Sequence, residues 1–250
     1  MNNKILKKVE LTRLNSGKTL VSENVIRESP LTVRINGKHY TSVMFLDKQQ
    51  KEWVTGHLYV QGVIRRAEDI KSLVIKNHIA DVTLGRVYKP RPPSVIESTL
   101  NADKEDVFNC VRAVLKSPVF AETEGVHSAG LFLHGKEAVC IAEDIGRHHA
   151  LDKVIGAAIL QGVPLSECLA ASTGRMALEM VNKICRAGIP IVATKAAVTD
   201  QGVAIARKYG VTVIGFVREA GSKLNTDMNV RVFQESVMKI YCGAERVLYK

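Results

Sequence analysis

"CLAASTGRMALEMVNKICRAGIPIVATKAAVTDQGVAIARKYGVTVIGFV", Cys168 to Val217, alternates two kinds of segment. "CLAAS", "IPIVAT" and "VTVIGFV" are short continuous apolar runs, the signature of strands buried on both faces. "RMALEMVNKICRAG" and "DQGVAIARKYG" carry helical periodicity, and Gly188 closes the first as a C-cap. Strands of this length alternating with helices imply crossover connections and a largely parallel sheet.

The same grammar extends upstream. "LFLHGKEAVCIA" (Leu131–Ala142) reads as a strand pair and "HHALDKVIGAAILQG" (His148–Gly162) as a helix. Before them a helix is expected from Asp103 to Lys116, with Val107, Phe108, Val111, Val114 and Leu115 on its core face. Cys110 falls at the edge of that face. "YKPRPPSVIES", with Pro90, Pro92 and Pro93, continues neither helix nor strand. The chain thus divides into a small α+β unit (1–89), a linker (90–102) and an α/β unit (103–250).

In the first unit, "LTVRINGKHYTSVMFL" alternates on both sides of Asn36-Gly37, a strong hairpin signal. Asp47, three before Gln50, suggests an acidic N-cap for a helix holding Trp53, Gly56, His57, Val60, Val63 and Ile64. His57 is expected to be a packed or half-exposed helix residue. "SLVIKNHIADVTLG" supplies two more strands.

Composition narrows the function classes. The 250-residue chain is 46% hydrophobic, enough for a large core. It has no run of eighteen apolar residues, and its polar, basic N-terminus lacks the apolar core of a secretory signal, so a cytoplasmic protein without membrane association is expected. The five cysteines, Cys110, Cys140, Cys168, Cys185 and Cys242, are scattered and odd in number, as reduced thiols are. None stands at zinc-ligand spacing, so no zinc is expected. The net charge of +10, from 35 Lys+Arg and 25 Asp+Glu, favours anionic partners. Aromatics are only 5% and the basic residues are dispersed, which argues against nucleic acid.

Four polar clusters follow the expected strands: "EDIGRHH" (143–149), "STGR" (172–175), "TKAAVTDQ" (194–201) and "REAGSK" (218–223). In open α/β sheets this carboxyl edge is where ligands bind, and each helix start adds unpaired N–H groups. Arg147, Arg175, Lys195 and Arg218 bring four cations there, so a phosphate-bearing ligand is the simplest inference. Ser172, Thr173 and Gly174 belong to the same rim, and His127 in "GVHSAG" can reach it. For any single cluster a plainer reading is open: Ser172 or Thr173 as a helix cap, Arg175 paired with Glu179. His148 and His149 are poorly placed as a metal pair, because adjacent helix residues diverge by about 100°. No Walker loop or G-x-G-x-x-G occurs. A zinc deaminase would need His-x-Glu and Cys-x-x-Cys, and here His127 precedes Ser128-Ala129.

"TEGVHSAGLF", "EDIGRHHALDKVIG", "STGRMALEMVNKICRAGIPIVATKAAVT" and "GVTVIGFVRE" resemble the FdhD/NarQ family of formate dehydrogenase accessory proteins, as do "ESPLTVRING" and "EWVTGHLYVQGVI". The resemblance implies a three-layer α/β/α domain of cytidine-deaminase type behind a smaller N-terminal domain. It implies a cytoplasmic homodimer that binds the bis-guanine-dinucleotide molybdenum cofactor, with GDP or GTP as fragment mimics. The family's guanine contact falls on Phe216, Val217, Arg218, Glu219, Ala220 and Gly221. Implied partners are a cysteine desulfurase, as sulfur source, and the formate dehydrogenase apoprotein. The family's Cys-x-x-Cys pair after the first domain is absent: "YKPRPPSVIESTLNADKED" (Tyr88–Asp106) holds no cysteine, and Cys110 is the nearest thiol. Glu124, Val198 and Gln61 also depart from the family's usual glycine, proline and glutamate.

Overall fold

The computed structural model describes residues 5–225 and 230–249, and for residues 221–225 and 230–234 the backbone alone. β1 (Leu6–Leu14) and β2 (Lys18–Ile26) form an antiparallel hairpin. β3 (Ser29–Ile35) and β4 (Lys38–Phe45) follow, joined at Asn36-Gly37. Both turn residues have positive φ, 49° and 79°, the two-residue geometry that suits strand twist. Then come α1 (Gln50–Val60), β5 (Ile70–Lys76) and β6 (Ile79–Leu84). The four strands assemble in the order β4-β3-β6-β5, and α1 covers them through Trp53, Val54 and Leu58 against Leu31, Val33, Phe45 and Val82. The acidic N-cap expected at Asp47 is not found. Gln49, at φ 53°, is the N-cap residue, and Asp47 bonds the Gln50 side chain instead of the helix backbone.

Residues 86–101 are without regular structure. Then follow β7 (Ala102–Asp103), α2 (Lys104–Leu115), α3 (Pro118–Thr123), β8 (His127–Leu133), β9 (Glu137–Asp144), α4 (Arg147–Gln161) and β10 (Cys168–Ser172). The rest comprises α5 (Leu178–Ala187), β11 (Ile191–Thr194), α6 (Asp200–Tyr209), β12 (Thr212–Arg218), the pair β13 (Gly221–Asn225) and β14 (Val230–Gln234), β15 (Val237–Cys242) and β16 (Val247–Leu248). The main sheet has six strands in the order β15-β12-β11-β10-β8-β9.

The parallel pairing expected of this sheet is confined to β10-β11-β12. β8, β9 and β15 join antiparallel, because "LFLHGKEAVCIA" reverses at His134-Gly135 before the first crossover helix and β15 returns beside β12. The expected helix from Arg175 begins only at Leu178. Met176 instead donates its N–H to Ala197 O and receives that of Thr199, an extended bridge that precludes a helical turn.

Helices cover both faces. Leu151, Val154 and Ile155 of α4, Met180 and Ile184 of α5 and Ala206 of α6 pack on Ala129, Leu131, Ala170 and Val192. Val107, Phe108, Val111 and Val114 of α2 pack on Phe132, Leu169, Ala171, Ile191 and Ile214. Burial on both faces is why these strands read as unbroken apolar runs.

The N-terminal sheet is fixed to this body where α1 crosses α4. A Cβ on Gly56 would lie 1.9 Å from Asp152 O, and one on Gly156 would lie 1.9 Å from Glu52 O. Only hydrogen at both positions permits so close a crossing. Among the described residues no helix is long and apolar enough to cross a membrane.

Candidate functional site: the carboxyl edge of the main sheet

β9 is antiparallel to β8, and β8 to β10, so β9 runs with β10, β11 and β12. Their carboxyl ends, Asp144, Ser172, Thr194 and Arg218, therefore share one edge, which the amino end of β8 joins at His127. Hydroxyl groups tie the intervening loops. Ser172 Oγ accepts from Gly174 N at 3.0 Å, and Thr194 Oγ1 donates to Gly174 O at 2.8 Å while accepting from Ala196 N. Ser172 and Thr173 thus brace the loop; the N-cap of α5 is Ala177. Gly174 lets the Arg147 stem pass against it, since a Cβ there would lie 2.8 Å from Arg147 Cβ.

The cations converge on His127. Burial, and then the charges of Arg147, Arg175 and Lys195, hold its imidazole below its usual pKa. Its Nδ1 lies 3.3 Å from Thr173 Oγ1. Arg175 is exposed and does not pair with Glu179, which lies 3.7 Å from His148. His148 is accordingly turned toward α5, with burial and the nearby Lys183 and Arg147 lowering its pKa. It stands beside the His127 group rather than in it.

The last cluster lies at the end of β12. Phe216 adopts φ 51°, in the left-handed region that side chains rarely occupy, and donates its N–H to Ala196 O. Arg218 and Lys239 lie over its ring, at 5.5 and 5.0 Å. Between this segment and α2 opens a cavity of about 490 Å³, lined by Phe108, Val111, Arg112, Leu115, Lys195, Val217, Arg218 and Glu219. Glu219 is ion-paired with Arg112. Ala220 is exposed beside it, and Gly221 opens β13, described in backbone only. Arg112, Lys239 and the apolar wall from α2 are site residues that sequence reading missed; the amphipathic face of α2 gave no sign of a ligand.

The acidic half of "EDIGRHHALDKVIG" has a different occupation. Glu143 Oε1 accepts from Val119 N and Phe120 N, at 2.7 and 2.9 Å, at the start of α3. Asp144 pairs with Lys153 at 2.7 Å, both side chains fully buried, and also receives Leu46 N, Gly146 N and His149. Lys153 donates further to Leu46 O and Glu143 O. Asp152 holds Lys183 and His57, and His57 stacks on Trp53 with centroids 4.9 Å apart, so His57 is packed as expected. Only Arg147, and His148 at the margin, face the rim.

Among the described residues no three His, Cys, Asp or Glu side chains come together as metal ligands. No thiol lies on the rim. Burial pushes Cys110, Cys168 and Cys185 up to about 12, and it raises Cys140 and Cys242 as well. Cys110, expected at a helix edge, is fully buried and donates to Gly135 O at 3.1 Å.

The family model for the FdhD/NarQ family matches residues 26–94 and 84–248. The chain is 30% identical to the "Sulfur carrier protein FdhD" of Methanothermobacter thermautotrophicus, over 88% of this chain and 96% of that protein. It is 33% identical to the protein of the same name from Sulfurisphaera tokodaii, over 85% of this chain and 94% of the relative. A crystal structure described as a candidate formate dehydrogenase accessory protein from Desulfotalea psychrophila superposes with a TM-score of 0.83 at 25% identity, covering 98% of this chain and 100% of that one. With the family model matching nearly the whole chain and relatives at 30 and 33% identity spanning 85% of it or more, the chain belongs to the FdhD/NarQ family.

Proposed function

We propose that this protein serves formate dehydrogenase maturation by holding a guanine-dinucleotide molybdenum cofactor along the carboxyl edge of its six-stranded sheet. The observation that carries the reading is the meeting of Lys195 and Arg218 in a cavity with an apolar wall of Phe108, Val111 and Leu115, where Arg112 holds the Glu219 carboxylate. Those residues fit one diphosphate arm: cations for the phosphates, an enclosed apolar wall for a flat base. Bound there, the cofactor would supply the molybdenum dithiolene centre that the receiving enzyme needs. Lys195 and Arg218 would orient the phosphates, and the ring of Phe216, beneath Arg218 and Lys239, would keep those cations in place. The bis form has two guanine arms, so this reading calls for two copies of the chain, each supplying one cavity. It places them in the cytoplasm with the formate dehydrogenase apoprotein as receiver.

Sulfur transfer finds less support in this chain. A persulfide carrier needs an accessible thiol that ionises near neutrality. The coil 86–101 has no cysteine, and all five thiols are raised by burial. We therefore favour a cofactor-holding role over carriage of sulfur from a cysteine desulfurase.

Calorimetric titration at low salt tests the binding site. GDP or GTP should bind, and Arg218→Ala should weaken GDP by roughly tenfold or more, since a charge-assisted contact contributes about 1.5–3 kcal/mol. Absence of GDP binding to the wild type refutes the site. Incubation with a cysteine desulfurase and labelled cysteine, read by mass spectrometry, tests the second point. A persulfide on Cys110 that disappears in Cys110→Ser would restore the sulfur-carrier role.

A further inference from the structure

The group around His127 is separate from the α2 cavity. By strand alternation His127 shares the face of Ala129 and Leu131, which pack under α4. The cavity lies on the other face, beside Phe108 and Val217, which pack with Phe132 and Ile214. Lys195 stands between the two, lining the cavity and acting on His127.

Thr173 Oγ1 accepts from Ser128 N at 3.0 Å, and its single proton is then free to be donated to His127 Nδ1, 3.3 Å away. Donated that way, it leaves the ring proton on Nε2. The charges that act on the ring, those of Arg147, Lys195 and Arg175, all belong to donors. Arg147, Arg175 and Lys195 form no ion pair among the described residues, and Arg147 Nε is buried without a partner. The nearby carboxylates are committed elsewhere: Asp144, the cross-strand neighbour of His127, to Lys153, and Glu143 to α3. A buried donor without an acceptor is costly, and three unpaired cations repel one another.

We propose that His127, Arg147, Arg175 and Lys195 form a binding site for a tetrahedral dianion of the phosphate type, distinct from the nucleotide cavity. Its oxygens would accept from His127 Nε2, from the Arg147 and Arg175 guanidinium groups and from Lys195 Nζ. The site deepens the reading of this edge as a cofactor rim and rests on it in one respect: a ligand long enough to span the edge would use both places, with Lys195 shared. Without ligand, burial and the three charges favour the neutral ring, and a proton donated by Thr173 to Nδ1 would then leave Nε2–H facing the dianion.

The test is nitrogen-15 and carbon-13 spectroscopy of histidine-labelled full-length protein, with the His127 signals assigned through His127→Gln. Without ligand, His127 should be the Nε2–H tautomer, and Thr173→Val should weaken that preference. Inorganic phosphate should shift the His127 signals saturably, and Arg147→Met should weaken that binding tenfold or more. GDP, followed by calorimetry on the same sample, should bind alongside phosphate. Molybdate or sulfate in place of phosphate separates a general oxyanion site from one tuned to phosphate; saturable His127 shifts with any of the three support the site. No His127 response to any of them overturns it even if GDP binds. One-for-one displacement of phosphate by GDP also overturns it, because one shared site would then suffice. Phosphate binding without GDP binding leaves this site standing and sinks the nucleotide cavity instead.

Discussion

Lys153→Met isolates the buried ion pair that anchors the amino end of α4. The ammonium lies 2.7 Å from the Asp144 carboxylate and donates to Leu46 O at 3.0 Å and Glu143 O at 2.9 Å, with neither charged side chain exposed. Methionine is close in length and keeps the packing against Phe45, so the perturbation is chiefly electrical. It leaves two carbonyls without their donor and a buried carboxylate with only His149, Leu46 N and Gly146 N. Removing one partner of a buried pair costs about 3–5 kcal/mol, against a total stability of about 5–15 kcal/mol. Trp53 is the single tryptophan, fully buried and edge-on to His149 at 5.5 Å, so its fluorescence reports urea unfolding at this place. The midpoint should fall sharply, and Asp144→Asn combined with Lys153→Met should lose less than the sum of the two. The pH dependence has a definite sign. Burial alone would raise the Asp144 pKa, but His149 and Lys153 overrule it and the net shift is downward. A depressed carboxyl stabilises fully above its unfolded value, near 4, and that stability is lost as pH falls through the lower folded value. The wild type should show this acid loss and Lys153→Met should show less of it. A loss under about 1 kcal/mol for Lys153→Met, with an unchanged acid profile, would refute the reasoning.

Glu143→Ala should destabilise by about 2–3 kcal/mol, because two backbone N–H groups at the start of α3 lose their acceptor, while GDP affinity stays unchanged. Loss of GDP binding at full stability would instead make Glu143 a ligand contact. The native protein should react slowly with a maleimide at pH 7 and quickly once unfolded, since burial raises all five thiols. Rapid labelling of a single native cysteine, located by peptide mapping, would contradict this.

Much of the scaffold was legible in the chain because it rests on local rules. Asn36-Gly37 makes its hairpin with both φ values positive, Gly188 ends α5 at φ 72°, and the apolar runs of β10, β11 and β12 lie between two helical layers. The carboxyl edge followed from the order of segments, and His127, Arg147, Arg175 and Lys195 do meet there. What local rules could not supply was the allocation of charge. Whether Asp144 serves a ligand or the core depends on Leu46, 98 residues away, and the state of Glu219 depends on Arg112, 107 residues away. The strand directions hid similarly: a hairpin and a crossover look alike as apolar runs, so the antiparallel setting of β8 appeared only with its register.

The crossing of α1 over α4 limits how this chain can be altered, by evolution or by design. At Gly56 and Gly156 the obstacle to a side chain is the backbone of the opposite helix, which cannot rotate away as a side chain does. A lineage therefore cannot exchange the two glycines one at a time for larger residues; the first step already forces the helices apart. The same holds for chimeras. A graft joined in the coil 86–101 would have to carry a helix with hydrogen alone at the position of Gly56, whatever sheet it brought with it.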